Sequence, residues 1–314
     1  MNAAGAPASA AVSLQAKIVL ALGTVYLVWG STYLGIRWVV EELPPLLSGA
    51  MRFTVAGLGF LLIARATGPL SLSRAELRNA ALLGVLMPGM SNGLVCMAER
   101  RIPSALTALI LAVVPLWIAL FQALRPGQPR SDRRATAGLL IGFGGTTLLV
   151  WTGGAGQPLS LLGMAMIVAA SLLWAVGTLF AREARRPSPW MASAGVEMLA
   201  GGLFQAVLGL AVGDLPRLLA SSPGPRAIGS LIYLTVIGAW AGYGAFSWLT
   251  SRAPPTLIAT YSYVNPLVAV FLGWSLASEP LTGRTLLAGA LIVCSVVLVT
   301  AAHHRQGATA RQGD

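Results

Sequence analysis

Trp29, Asn92, Trp117, Trp174, Trp240, Tyr243, Tyr261, Tyr263 and Asn265 are rings, amides and hydroxyls set inside long apolar runs. Such groups bind by stacking, cation–π contact and hydrogen bonding, and in an apolar medium their N–H and O–H groups need partners. Charge is rarer still. The stretch "WMASAGVEMLAGGLFQAVLGLAVG" (190–213) carries one charged residue, Glu197, and Arg52 is the one basic residue inside an apolar run. A buried carboxylate can hold a proton, meet an ammonium group, or serve as a structural hydrogen bonder. The sequence lacks the residues for catalysis within these runs. No Asp lies there, His303 and His304 follow the last run, and no H-E-x-x-H occurs. The expectation is a protein that is not an enzyme and holds no metal or cofactor. Cys96 and Cys294 have no metal or redox spacing and read as small apolar side chains in helices.

These residues sit in a chain of 314, which is 56% hydrophobic and 10% charged. Soluble domains carry roughly 25% charged residues. A chain this apolar is expected to face lipid. The formal charge of +11 does not point to nucleic acid, because the basic residues are spread between the apolar runs. Runs of about 20 residues cross roughly 30 Å of hydrocarbon. Ten are expected, at 18–38, 46–66, 79–98, 103–124, 135–151, 161–181, 189–212, 228–249, 255–276 and 283–302. The breaks are short and rich in Pro and Gly, such as "EELPP" (41–45) and "RAPP" (252–255). The N-terminal segment has no charged n-region, so the first run is expected to remain as a span rather than be cleaved.

Of the 21 basic residues, 14 fall on one side of this topology and six on the other, with Arg52 inside a span. The positive-inside rule then places both termini in the cytoplasm.

An internal repeat underlies the spans. Shifting the sequence by 145 lays spans one and two on six and seven, matching Trp29 with Trp174, Arg37 with Arg182 and Gly57 with Gly202. Shifting by 151 lays spans three to five on eight to ten, matching Gly93 with Gly244, Arg101 with Arg252, and Pro115 with Pro266. Five spans are an odd number, so the second half must enter the membrane from the opposite side. The expected fold is an all-α polytopic membrane protein of ten helices in two inverted five-helix repeats. These are 1–151 and 152–302, followed by a cytoplasmic tail at 303–314. Inverted repeats are typical of secondary transporters, whose sites lie near the midplane.

The stretches "YLVWGSTYLGIR" (26–37), "RIPSALTALILAVVPLWIALF" (101–121) and "APPTLIATYSYVNPLVAVFLGWSLASEPLTGRTLLAGALIVCSVVLV" (253–299) resemble the ten-helix EamA branch of the drug/metabolite transporter superfamily. The resemblance covers nearly the whole chain and is most specific around Pro266 and "EPLTG". It implies export of amino acids and related metabolites across a bacterial inner membrane.

At 1.5 Å per residue, Trp29, Asn92, Pro115, Trp117, Trp174, Trp240, Tyr243 and Asn265 lie roughly 15–22 Å into their spans, near the midplane. As a group they read as a cavity lining, although any one aromatic could simply pack helix on helix. Tyr261 and Tyr263 fall on more than one face, and either or both could reach the cavity. Pro115 and Pro266 are expected to kink spans four and nine, freeing carbonyls near Leu111 and Ser262. With rings and amides but no lysine, the expected solute is neutral or zwitterionic, an amino acid above all. Small amphipathic metabolites or drugs, or a channel-like pore, are the alternatives. Glu197 falls on Arg52 under the 145 shift, at mirrored depths roughly 10 Å apart, so a direct ion pair is not expected. Arg52 is expected to snorkel outward, and Glu197 remains open as structural bonder, proton-coupling group or ammonium contact.

Overall fold

The computed structural model describes residues 13–70, 72–124, 137–138, 140–142, 144–145, 147–148, 160–250, 252–253, 258 and 261–310. Helix α1 (Leu14–Glu42) opens at Ser13, whose hydroxyl accepts from the Ala16 amide at 3.2 Å. It stops because Leu43 and Pro44 are extended ahead of Pro45, as residues before proline prefer. Pro45 then opens α2 (Pro45–Thr67) at its first position, where a missing N–H costs nothing. A capping box of Ser73 and Glu76 starts α3 (Arg74–Gly84). This helix runs on through a π-helical segment, Val85–Ser91, into α4 (Asn92–Glu99). Helices α5 (Ser104–Leu111) and α6 (Val114–Ala123) follow, then α7 (Leu161–Glu183) and α8 (Trp190–Ala211). A short α9 (Asp214–Leu219) leads to α10 (Pro225–Tyr233), which continues through a second π segment, Leu234–Tyr243, into α11 (Gly244–Thr250). The last two are α12 (Tyr261–Ala277) and α13 (Gly283–Ala310).

Among the described residues, seven helices are long and apolar enough to cross a membrane, and two shorter apolar helices, Val264–Ala277 and Gly283–Ser295, accompany them. Of the run expected at 135–151, residues 137–138, 140–142, 144–145 and 147–148 are described, and all of them are helical. Side chains such as Leu27, Leu62, Val207 and Phe271 face outward and are exposed. Apolar exposure on this scale belongs against lipid rather than water.

Glycine lets two helices meet at the centre. A Cβ on Gly57 of α2 would lie 2.6 Å from the Leu199 amide of α8, and one on Gly202 of α8 would lie 2.7 Å from the Thr54 amide of α2. Without side chains there, the backbones come into direct contact. Gly57 and Gly202 are the pair matched by the 145 shift.

The two π segments fall at positions related by the 151 shift. In the first, Pro88 has no N–H to donate to the Gly84 carbonyl. That carbonyl instead packs against Gly201, where a Cβ would sit 2.7 Å away. Gln205 of α8 donates Nε2 to the Pro88 carbonyl at 2.6 Å. Wide turns of this kind loosen the regular ladder and recur at functional sites. The hydropathy pattern runs straight through both segments, so the sequence does not reveal them.

Pro115 follows an interruption of its span: Ala112 and Val113 leave the regular helix with backbone still in the α region, and Pro115 sits in the first turn of α6. Pro266 stays inside α12. Residues at matching repeat positions therefore act differently, because a proline in a first turn has no helical donor to lose.

Candidate functional site

A cavity of about 130 Å³ lies at the centre of the bundle. That is well above the roughly 10–15 Å³ a cavity needs to hold even one water. Its walls come from both halves of the chain: Trp29 and Tyr33 of α1, Arg52 of α2, Ser91 and Asn92 around the first π segment, Trp174 of α7, Tyr243 at the end of the second, and Tyr261 and Asn265 of α12. Apolar atoms of Ile36, Val95, Leu111, Met198 and Leu234 fill the rest. Pro266 and Pro88 reach the wall as well.

An aromatic cluster forms one side. Trp29 meets Trp174 edge-on at 6.2 Å and Tyr261 edge-on at 5.3 Å, and Phe246 packs on Trp29 at 4.9 Å. Asn265 is 4% exposed. With its amide nitrogen donating, it bonds the carbonyls of Tyr26 and Tyr261, each at 3.2 Å. One amide thus ties α12 to α1 beside Pro266, where the helix ladder lacks a donor.

Polar pairs form the other side. Arg52 donates Nη2 to Asn92 Oδ1 at 3.1 Å and lies 4.1 Å over the Phe53 ring. Tyr243 donates its hydroxyl to Glu197 Oε2, and Ser193 donates to Oε1 at 2.7 Å. Glu197 itself is buried behind Tyr243 and is not part of the wall. Arg52 and Glu197 make no ion pair with each other; each has partners of its own. Arg52 does not snorkel. It is 7% exposed and turned into the cavity, because α2 is packed on the bundle along that face.

Other residues singled out in the sequence lie elsewhere. Trp117 donates Nε1 to Ser171 Oγ at 2.9 Å and stacks on Phe121. Trp240 donates to the Ala56 carbonyl at 3.1 Å and packs beside Phe53 and Phe60. Both are used in helix contacts away from the wall. Pro115 also lies off the wall, and the Tyr263 side chain falls outside the described residues. Of the cysteines, Cys96 is buried but Cys294 faces outward.

Thr32, Tyr33, Pro88 and Ser91 are wall residues that the sequence did not single out. Nor did it single out two buried carboxylates at span ends. Glu99 is fully buried, and neither carboxylate oxygen has a hydrogen-bond partner. Glu279 caps α5, accepting from the Ser104 amide and hydroxyl, both at 2.8 Å, and from the Ala105 amide at 3.0 Å. The signal for Glu279 is the "EPLTG" stretch. Glu99, beside Arg100 and Arg101, looks in sequence like a loop residue.

Comparison with known proteins places this architecture. The EamA-like transporter family matches the chain twice, at residues 16–151 and 161–301. The chain is 36% identical over 282 residues to YedA of Escherichia coli (strain K12), which is named an inner membrane transporter, with 89% of each chain covered. It is 26% identical to a protein of Salmonella typhimurium named "Probable amino-acid metabolite efflux pump", covering 91% of this chain and 95% of the relative. A crystal structure 21% identical in sequence superposes with a TM-score of 0.63 over 92% of this chain and 98% of its own, which shows a shared fold. The chain belongs to the EamA-like transporter family.

Proposed function

We propose that this protein is a secondary transporter that moves small neutral or zwitterionic metabolites, above all amino acids, out across a bacterial inner membrane. The central cavity is the solute site, and alternating access is achieved by rocking of two inverted five-helix repeats around it. Both termini lie in the cytoplasm. The observation that carries this reading is the cavity wall itself: aromatic and amide groups from both matched segments converge on one buried space. Binding between repeats is the arrangement secondary transporters use. The relatives named for inner-membrane transport and amino-acid metabolite efflux support the membrane and the solute class.

The full chain in proteoliposomes tests it by counterflow, with each amino acid trapped inside and labelled outside. Accumulation of label against its own gradient is expected, because exchange requires alternating access. Passive equilibration alone indicates a pore, and no movement of any amino acid shifts the reading to other amphipathic metabolites. A pH gradient is added as a second arm. If Glu197→Gln leaves gradient-driven transport intact, Glu197 is not the coupling group.

A further inference from the structure

Among the described residues, Arg52 is a buried cation with no carboxylate in ion-pair contact; Glu99 acts on it only through space. Its sole hydrogen bond among the described residues runs from Nη2 to the neutral Asn92 Oδ1, and its Nε is buried without a partner. Ion pairs among the described residues join Arg37 to Glu41, Arg226 to Glu41, and Arg217 to Asp214. None reaches Arg52. Glu197 is held by Tyr243 and Ser193, and the Glu99 oxygens touch no donor. Arg37, the other arginine near this end of the bundle, is fully used: it bonds Glu41 Oε1 at 2.8 Å and the carbonyls of Glu99 and Ile102. A guanidinium stays charged at any ordinary pH. Burying it unpaired is costly, because the lost hydration is not repaid by a counter-charge.

A ligand carboxylate would remove that cost. Arg52 lines the cavity, and the planar fork of a guanidinium matches the two oxygens of a carboxylate. Asn92 is oriented for the same task. Its Oδ1 is engaged by Arg52 and by Cys96 Sγ, which leaves its Nδ2 hydrogens as further donors. The rings of Trp29, Trp174 and Tyr261 then take the apolar part or the ammonium group of the same solute. We propose that Arg52 docks a carboxylate of the solute, so that the substrates of this carrier bear a free carboxylate. The proposal rests on the cavity being the transport site. Phosphate esters carry about two charges at neutral pH and are disfavoured, because Arg52 is the one basic side chain among the described lining residues.

The test compares acids with their amides, which keep the size and lose the anion. The purified full chain in lipid nanodiscs is titrated with each of the twenty amino acids and its amide, with phenylacetate and phenylacetamide, and with benzyl phosphate. The thermal unfolding midpoint is the readout. Acids that bind are expected to do so at concentrations roughly ten- to a hundredfold below their amides, the worth of a charge-assisted bond. Arg52→Gln abolishes that preference, and Arg52→Lys keeps part of it. An amide binding as well as its acid overturns the proposal, as does stronger binding of benzyl phosphate or the absence of binding by any acid. The wild-type comparison holds even if a variant does not fold. Acid-selective binding without counterflow would sink the transport reading and leave Arg52 as a carboxylate site. Counterflow with acids and amides alike would do the reverse.

Discussion

The Tyr243 hydroxyl donates to Glu197, and the residues 151 and 145 positions earlier, Asn92 and Arg52, are hydrogen-bonded to each other as well. At both places a charged residue on a long helix is tied to a cavity-lining residue at the end of a π segment. The two pairs differ in sign. One presents an unpaired cation to the cavity; the other hides a carboxylate behind a phenol.

The Tyr243–Glu197 bond is expected to be strongly coupled. Tyr243→Phe leaves a buried carboxylate one donor short, and Glu197→Ala leaves a buried hydroxyl without its acceptor. Each is expected to cost about 1–3 kcal/mol. Because both remove the same bond, the double variant should cost less than the sum by about 0.5 kcal/mol or more. Thermal unfolding of the four proteins in one detergent measures this, and strict additivity would contradict the bond.

Gly57→Ala and Gly202→Ala should each push α2 and α8 apart. The added Cβ meets backbone amides at 2.6 Å and 2.7 Å, and at Gly202 the Thr54 hydroxyl as well, at 2.6 Å. A loss of about 1–3 kcal/mol is expected from overpacking. Gly229→Ala is the control. Gly229 lies within α10, and a Cβ added there would meet nothing within 4 Å, so alanine should be neutral or stabilising by about 0.5–1 kcal/mol. The same melts decide, with equal midpoints for all three as the contrary result.

Two helix caps should rank clearly. Ser73→Ala removes an exposed local cap and should cost about 1 kcal/mol. Glu279→Ala strands the buried Ser104 and Ala105 amides at about 1–3 kcal/mol each, in a contact spanning more than half the chain. Denaturation under matched conditions should show Glu279→Ala as clearly the worse of the two; a smaller effect than Ser73→Ala would count against the cap.

Trp174→Ala and Asn265→Ala should lower counterflow about tenfold or more while the protein still folds, since one removes a wall ring and the other the tie between α1 and α12. Losing an aromatic contact costs on the order of 1 kcal/mol, and losing solute contact adds to it. Trp117→Phe, off the wall, should leave transport near wild type. Initial rates per folded protein check all three, and unchanged rates in the first two would contradict the site.

Much of the helical layout was legible because lipid imposes a simple rule. An apolar run of span length must be a helix, and Pro44 and Pro45 mark one of its ends in plain chemistry. That Trp29, Asn92, Trp174, Tyr243 and Asn265 could share one site was legible too, from a residue count alone, and all five line the cavity. Their rotation was not legible. These helices are apolar nearly all round, so the sequence carries no stripe that separates a wall position from a packing position. Trp240 and Trp29 look alike in sequence, yet one donates to the Ala56 carbonyl and the other faces the cavity.

The sequence by itself determined a membrane chain with a repeated pattern, scarce charge and aromatics set within its apolar runs, because hydropathy, spacing and residue type are properties of the chain alone. Only the tertiary structure decided which of those groups meet. It turned Arg52 inward where a count of residues suggested outward, gave Tyr243 to Glu197, and buried Glu99 at a span end. The reason is that a side chain's partner in lipid is set by the neighbouring helix, and here that neighbour is brought close by Gly57 and Gly202, residues whose contribution is the absence of a side chain.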